Sequence, residues 1–364
     1  MRKFFLSVLF AALTMSLSAQ GEVTRYFFSP LGNGDQDGTS WENAAPGDYL
    51  GTTIASAEAG DEFYLMEGKY APEASINKWN ITQGVIIKGG YPTTMTGTNT
   101  AIDYTKAGQS IFSADLDNDG KGDNTDYAFV YVGMPGKEAH KENQADGQFY
   151  KDVPLTQIWG VTFRDGERQD GKYWGNMLFA KHTKLDLHFC KFINNKSLAD
   201  GQNNAAIVSW GSQLRVFDCV FEGNRGLGAG SAVLLRARES DSGNKEVTEN
   251  QIALFERCEF TDNNCTGGYG GAVSVADCAG SLYMINCTVT GSSQQYGGAV
   301  ALGGSGDDGI NPPVAFLINN TFVDNVSTRT GNWIGGAYRS GKFATTYLAN
   351  NIMVNPAAKD TYNP

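Results

Sequence analysis

Oxygen-bearing side chains crowd between Asp115 and Asp126. The chain there reads Asp115-Leu116-Asp117-Asn118-Asp119-Gly120 and continues to Asp123 and Asp126. Alternate acids followed by a glycine let several carboxylates converge on one hard cation, because the glycine permits the sharp turn that folds them inward. On this reading Asp115, Asp117 and Asp119 ligate Ca2+ through their side chains and Lys121 through its backbone carbonyl. Asp123 acts directly or through water, and Asp126 closes the loop. Position twelve is Asp rather than the longer Glu, and no amphipathic helices flank the segment. The expected role is therefore a structural clamp, and the alternative is a solvated acidic turn.

Other reactive side chains are scattered. Arg215, Arg236, Arg238, Arg257, Asp218 and Glu256 fall where a solenoid wall would display them. Acids holding calcium beside an Arg or Lys base would suit uronate elimination, but charges at outward positions also mark any solvated face. Asn124-Thr125-Asp126 lies inside the acidic loop with no further hydrolase motif around it. The three histidines, His140, His182 and His188, have no Ser-His-Asp context or zinc spacing. Trp159, Trp174, Trp210, Trp333, Tyr173, Tyr269 and Tyr296 fall at or near insertions and rung edges, where rings stack on sugars or cover loop bases. Tyr173-Trp174 is the expected ligand-binding pair.

The elements that position these residues come from a repeat. Seven segments align on Phe163, Phe192, Phe221, Phe260, Val289, Phe322 and Met353. Five residues earlier the position is always apolar, from Ile158 to Leu348. Two residues earlier stand Val161, Cys190, Cys219, Cys258, Cys287, Asn320 and Asn351. Three residues later stand Gly166, Asn195, Asn224, Asn263, Ser292, Asn325 and Pro356. Positions minus two and zero share a strand face, whereas minus five is out of phase, so a corner lies between them. The minus-three column (Gly160, Phe189, Asp218, Arg257, Asn286, Asn319, Asn350) is mostly Gly, Asn or charged, as a left-handed corner favours. A third strand recurs at Met177-Leu178, Ala206-Ile207, Ala232-Val233, Ala272-Val273, Ala299-Val300 and Ala337-Tyr338, three of them after Gly-Gly. Three strands per turn, stacked about 4.8 Å apart, predict an all-β, right-handed parallel β-helix with a short N-terminal capping helix near 48–57. The cysteine column reads as stacked buried thiols, with bridges between rungs as the alternative. Cys265 and Cys278 could pair across a loop.

Phe-x-x-Asn combined with Gly-Gly-Ala-Val resembles the repeats of chlamydial polymorphic outer-membrane proteins and of secreted Bacteroidetes-type β-helix proteins of the pectate-lyase-like superfamily. The opening, Arg25-Tyr26-Phe27-Phe28-Ser29 through Gly38-Thr39-Ser40-Trp41 and Gly60-Asp61-Glu62-Phe63-Tyr64, is similar to the latter and implies a cap and first rung. The resemblance covers roughly Tyr26 to Met353. It implies fold more than function, because this architecture hosts lyases, hydrolases, adhesins and stalks. The acidic loop by itself resembles EF-hand and dockerin loops.

Arg2 and Lys3, the apolar run 4–13 and the small residues 16–19 read as an export signal cleaved after Ala19. The domain expectation is a signal peptide over 1–19 and one β-helix over 20–364. Its parts are a cap and first rungs (20–90), an acidic insertion (91–126), regular rungs (127–353) and a short tail (354–364). With 45 glycines, 12% aromatic and 18% charged residues, the chain is turn-rich and lacks the bias of helical repeats. A net charge of -11 argues against nucleic acid as a partner. No stretch reads as a transmembrane segment. The expected location is extracellular, outer surface or periplasm. The expected function is a non-catalytic, adhesin-like or glycan-binding scaffold that meets a polysaccharide or a host or cell-surface glycan. The alternative is a polysaccharide lyase or glycoside hydrolase acting on acidic glycans in a groove walled by the insertions near 91–126, 133–153 and 238–250. An uncapped last rung predicts either end-to-end association or a chain shorter than its relatives.

Overall fold

The computed structural model describes residues 22–72, 78–122, 129–133, 153–168, 177–197, 205–227, 230–236, 251–267, 270–276, 280–303, 313–329, 335–341, 344–354 and 361–362. These form a parallel β-helix. Sheet A has eleven strands, from Ala45–Pro46 and Arg25–Ser29 through Lys184–His188 to Thr345–Ala349. Sheet B has nine, from Gly68–Tyr70 to Ile352–Val354, and sheet C nine, from Trp79–Ile81 to Thr361–Tyr362. Every pairing between these strands is parallel, as when Lys184–His188 pairs with Gln213–Phe217. The fold expected from the repeat is the fold observed. A fourth ladder of six two-residue strands, Glu167–Arg168 to Val326–Ser327, joins the three faces just beyond the Asn column.

Phe112, Phe163, Phe192, Phe221 and Phe260 form an interior ladder. Successive rings from Phe163 to Phe260 lie 4.6–5.1 Å apart and nearly coplanar in tilt. Each is fully buried, a contribution on the order of 2–3 kcal/mol per ring. The corner between sheets A and B takes a left-handed backbone in all seven rungs, including Phe189 (φ 53°) and Arg257 (φ 55°), so position overrides residue preference. The second corner differs from the expected Asn turn. Its left-handed residues are Asp165, Asn194, Gly223, Asp262, Gly291 and Asp324, one position before the Asn column. Asn195, Asn224, Asn263 and Asn325 instead point inward and are wholly buried.

Two of the expected segments carry core strands. The acidic insertion expected over 91–126 contains a core strand, Ser110–Ser113, whose Phe112 pairs between Tyr70 and Phe163. Residues 92–109 form a long excursion at its A–B corner, so the spacing that identifies the other rungs fails there. Part of that excursion lies over the outside of sheet A, where Met95 and Ile102 pack against Phe27, Trp41, Tyr64 and Tyr91. The tail expected over 354–364 includes Val354 in sheet B and Thr361–Tyr362 in sheet C. The expected cap is a single turn of 3-10 helix, Gly47–Tyr49, and an α-helix, Leu50–Ser56. Leu50 and Ile54 are buried in the core cluster, and Gly51 lies so close to Trp79 that a Cβ would stand 2.7 Å from the indole. Residues 1–19 lie outside the described residues.

The Gly-Gly pairs have a steric cause. A Cβ on Gly271 would overlap the carbonyl of Gly298, and one on Gly298 that of Gly336. Here successive rungs approach backbone to backbone, with Gly271 N–H donating to Gly297 O and Gly298 N–H to Gly335 O, each 3.0 Å.

Candidate functional site

The acidic loop leaves sheet B after Ser113. Asp115, Asp117 and Asp119 each offer a carboxylate oxygen, and the three oxygens lie within 4.8 Å of one another. Asp115 is 5% exposed, whereas Asp117 and Asp119 are open to solvent. The Asp119 amide donates to Asp117 Oδ1 (3.0 Å), the Lys121 amide to Asp119 Oδ1 (2.8 Å) and the Gly120 amide to Asp115 Oδ2 (3.3 Å). These bonds curl the loop as alternate acids around a glycine require; Gly120 has φ 86°. Lys69, on the preceding rung, reaches the Asp115 carbonyl and Asn118 Oδ1, with Asp115 Oδ2 at 3.6 Å. On the following rung, Asp165 accepts from Ser113 Oγ and Arg164 Nε, both at 2.7 Å. The carbonyl of Asp165 crowds Gly122. Asp123 and Asp126 lie outside the described residues, so the structure brings together three of the expected acids.

The wall charges are engaged with one another. Asp186 holds Arg215 in a bidentate pair at 2.7 and 2.5 Å. Arg257 holds Asp218 at 2.7 and 2.9 Å and also contacts Glu256. Arg236 is a correction to the wall set, because it is buried against Trp210. Arg238, His140 and Asn124-Thr125-Asp126 lie outside the described residues. Among the described residues, the cations beside the acidic loop are engaged: Lys69 and Lys121 with its oxygens, and Arg164 with Asp165.

Ring faces are likewise used internally. Trp159 stacks on His188 (3.7 Å, 7°), and His188 on Phe217 (4.8 Å, 15°). Tyr104 packs near Trp159 from the 92–109 excursion, at 5.7 Å. Burial between these rings lowers the His188 pKa below its ordinary 6.5. Tyr296 lies under Arg329 and Arg339, and Trp210 under Lys181 and Arg236. These three aromatics act as cover. Tyr173, Trp174, Tyr269 and Trp333 lie outside the described residues.

The cysteine column is fully interior. Cys190, Cys219, Cys258 and Cys287 are buried thiols with no disulfide among them, and burial holds Cys219 and Cys258 well above the ordinary thiol range. Each sulfur donates to the minus-five carbonyl of the preceding rung, Cys219 to Leu187 O and Cys258 to Val216 O, at 3.7 and 3.4 Å. Asn320 and Asn351 make the same bond to Met284 O and Leu317 O. Cys278 lies outside the described residues, and with it the expected Cys265–Cys278 pair.

A feature that motif reading misses is a change of wall character. In the three rungs from Lys184 to Thr261, every strand of sheets A and B carries a charged residue. From Gly280 to Val354 none does. Tyr283, Phe316 and Tyr347 stack outward at 4.8 Å intervals on sheet A, and Thr288, Thr290 and Thr321 occupy outward positions on sheet B. The signal was present in the sequence as an absence of charge.

No protein-family model matches the chain, and no curated protein does. No helix among the described residues is long and apolar enough to cross a membrane. Among solved structures, the chain is similar to tailspike protein 3 of bacteriophage CBA120 (TSP3, orf212). The identity is 11% and the TM-score 0.26, over 92% of this chain and 61% of the tailspike chain, so this chain spans less than two thirds of that protein's length.

Proposed function

We propose that the protein is an exported, non-catalytic, adhesin-like β-helix scaffold whose contact face is the charge-free wall of its last three described rungs, and that this face takes a neutral glycan. The observation that carries the reading is the loss of every charged residue from the A and B strands between Gly280 and Val354. A solvated wall has no physical need to discard its charges. A flat surface of ring edges, methyl groups and hydroxyls suits a polymer that is itself uncharged and rich in hydroxyls. Tyr347, at the end of the ring ladder, is 55% exposed and has a ring neighbour on one side only among the described residues. A net charge of -11 disfavours acidic glycans. The mutual pairing of Asp186 with Arg215 and of Asp218 with Arg257 supports a scaffold over a lyase.

The test is retention of the purified chain on a panel of neutral and uronic-acid polysaccharides, with Tyr283→Ser/Phe316→Ser and Tyr347→Ala as variants. Retention on a neutral polymer that both variants weaken supports the reading. Failure to bind any polymer, or release of unsaturated products from a uronic-acid polymer, overturns it.

End-to-end association belongs to the same proposal. Among the described residues, the last strands of sheets A and B have no further strand on their outer edge. Leu348 occupies an interior column yet is 46% exposed, beside Ile352 (58%) and Val354 (55%). Such an edge offers both unpaired backbone and apolar area. Light scattering that finds only monomer at high concentration removes this part.

A further inference from the structure

We infer that the loop after Ser113 is a divalent-cation site selective for Ca2+, with Asp115, Asp117 and Asp119 as its carboxylate donors, and that the ion staples the early rungs of sheet B. The spacing of the three oxygens fits a cation that takes oxygen ligands at about 2.3–2.6 Å, since two such ligands can stand at most about 5 Å apart. A cluster of exposed acids would show as much, so the weight rests on Asp115. It is 5% exposed, and its two oxygens are used unequally. Oδ2 receives the Gly120 amide and faces Lys69, while Oδ1 is buried with no hydrogen-bond partner. A carboxylate oxygen removed from water without a donor is costly, and a bound cation is what removes that cost.

Lys69 supplies a second observation. Its ammonium sits on the Asp115 carbonyl and Asn118 Oδ1, so oxygens of the loop already converge on positive charge delivered from the rung before. Lys69 and the exposed Lys121, which stands 3.7 Å from Asp119, do not balance three carboxylates, and both leave Asp115 Oδ1 unmet. The predicted site therefore holds Ca2+ beside Lys69, with the ammonium as a competing charge that weakens it. The position also explains what the ion would do. Lys69 belongs to the Gly68–Tyr70 strand, Asp115 follows Ser110–Ser113, and Asp165, bonded to Ser113, follows Val161–Arg164. Fixing the loop ties three successive strands of sheet B at one edge.

This inference is independent of the glycan-binding reading, because the loop lies on early rungs and the charge-free wall on late ones. The test is isothermal titration of the purified chain with CaCl2 and separately with MgCl2, together with thermal melts in Ca2+ and in EGTA. One Ca2+ per chain is expected, with a Kd on the order of 0.1–1 mM, as for extracellular modules, and weaker binding of Mg2+. At Ca2+ one hundred times Kd, Tm should rise by about 4 °C for a chain of this length. Asp117→Asn and Asp119→Asn should each weaken Ca2+ at least about tenfold while leaving Tm in EGTA unchanged, because both residues are exposed. Lys69→Met should tighten it. The inference is overturned if the wild-type chain takes up no Ca2+ at about 10 mM, or if binding persists unchanged in Asp117→Asn and Asp119→Asn.

Discussion

Asn224 offers the sharpest test of what holds the stack together. Its amide is fully buried between two rungs and makes four hydrogen bonds. Nδ2 donates to Phe192 O (2.9 Å) and to Asn263 Oδ1 (2.9 Å), while Oδ1 accepts from the Asn195 amide (3.1 Å) and Asn195 Nδ2 (3.0 Å). Asn224→Ala strands one backbone group, the Asn195 N–H, in an interior closed to water, while the Phe192 C=O loses its second donor and keeps the ladder bond of its parallel pairing with the next rung. Asn263 Oδ1 keeps the Asn224 amide, and Asn195 Nδ2 keeps Phe163 O, so those two side chains are not orphaned. At about 1–3 kcal/mol for the stranded group, the loss is a substantial share of the roughly 5–15 kcal/mol that holds a domain folded. Asn224→Ser should recover little, because Ser292 occupies the same column and its hydroxyl finds no partner. Asn224→Asp should be worse than Ser, since it replaces both Nδ2 donations with an acceptor. Urea unfolding followed by tryptophan fluorescence measures the series. A solenoid can unfold in segments, so the transition's cooperativity must be matched between variants. An Asn224→Ala protein within about 0.5 kcal/mol of wild type would refute the ladder as a source of stability.

Two further predictions concern neighbouring columns. Cys219→Asn is expected to lose less stability than Cys219→Ala, because Asn320 and Asn351 show that an amide closes the carbonyl otherwise served by the thiol; urea midpoints in which alanine matches or exceeds asparagine would remove that equivalence. His188, whose pKa burial depresses below 6.5, contributes stability present above that value and lost as pH falls through and below it. Melting temperature should therefore fall between about pH 8 and about pH 5, and His188→Phe should flatten part of that slope, as a parallel pH series on both proteins would show.

The fold was legible because a solenoid repeats its constraints at fixed offsets. Each column had several independent examples, and one exception such as Phe189 did not mask the pattern. Legibility failed where a rung broke the spacing. The strand carrying Phe112 has residues 92–109 inserted at its A–B corner, so five residues upstream of Phe112 stands Ala107 in the excursion and not an interior strand residue. The Asn column is visible in the sequence, but the reason for it is not. Asn tolerates a left-handed backbone, yet the left-handed residue is one position earlier, and Asn is needed at its own position as both donor and acceptor. At the acidic loop, sequence supplied the three acids and their order. It could not supply Lys69, forty-six residues before Asp115, because their proximity follows from stacking of the Gly68–Tyr70 and Ser110–Ser113 strands. Arg215, Asp218, Glu256 and Arg257 were legible as outward, unlike Arg236, but their mutual pairing depends on register between rungs: Arg215 is opposite Asp186, so each satisfies the other.

The same register separates the two candidate surfaces physically. In the middle rungs, Asp186 pairs with Arg215 and Asp218 with Arg257 one rung away, so these wall charges spend their electrostatics on each other. Beyond Gly280 the pairs cease altogether, and aromatic and β-branched residues take their places in the same outward columns: Leu254 is followed by Tyr283, Phe316 and Tyr347. Cross-strand packing of such residues stabilises the sheet about as well as ion pairs do, roughly 0.2–1 kcal/mol per pair. Stability alone therefore does not choose between the two compositions. What differs is what water and a partner meet: a hydrated, self-neutralised face in one case, and in the other an uncharged strip whose apolar edges gain by being covered. A face that gives up the charges that ordinarily deter edge and face pairing, at no gain to the fold, is best accounted for by contact with something else.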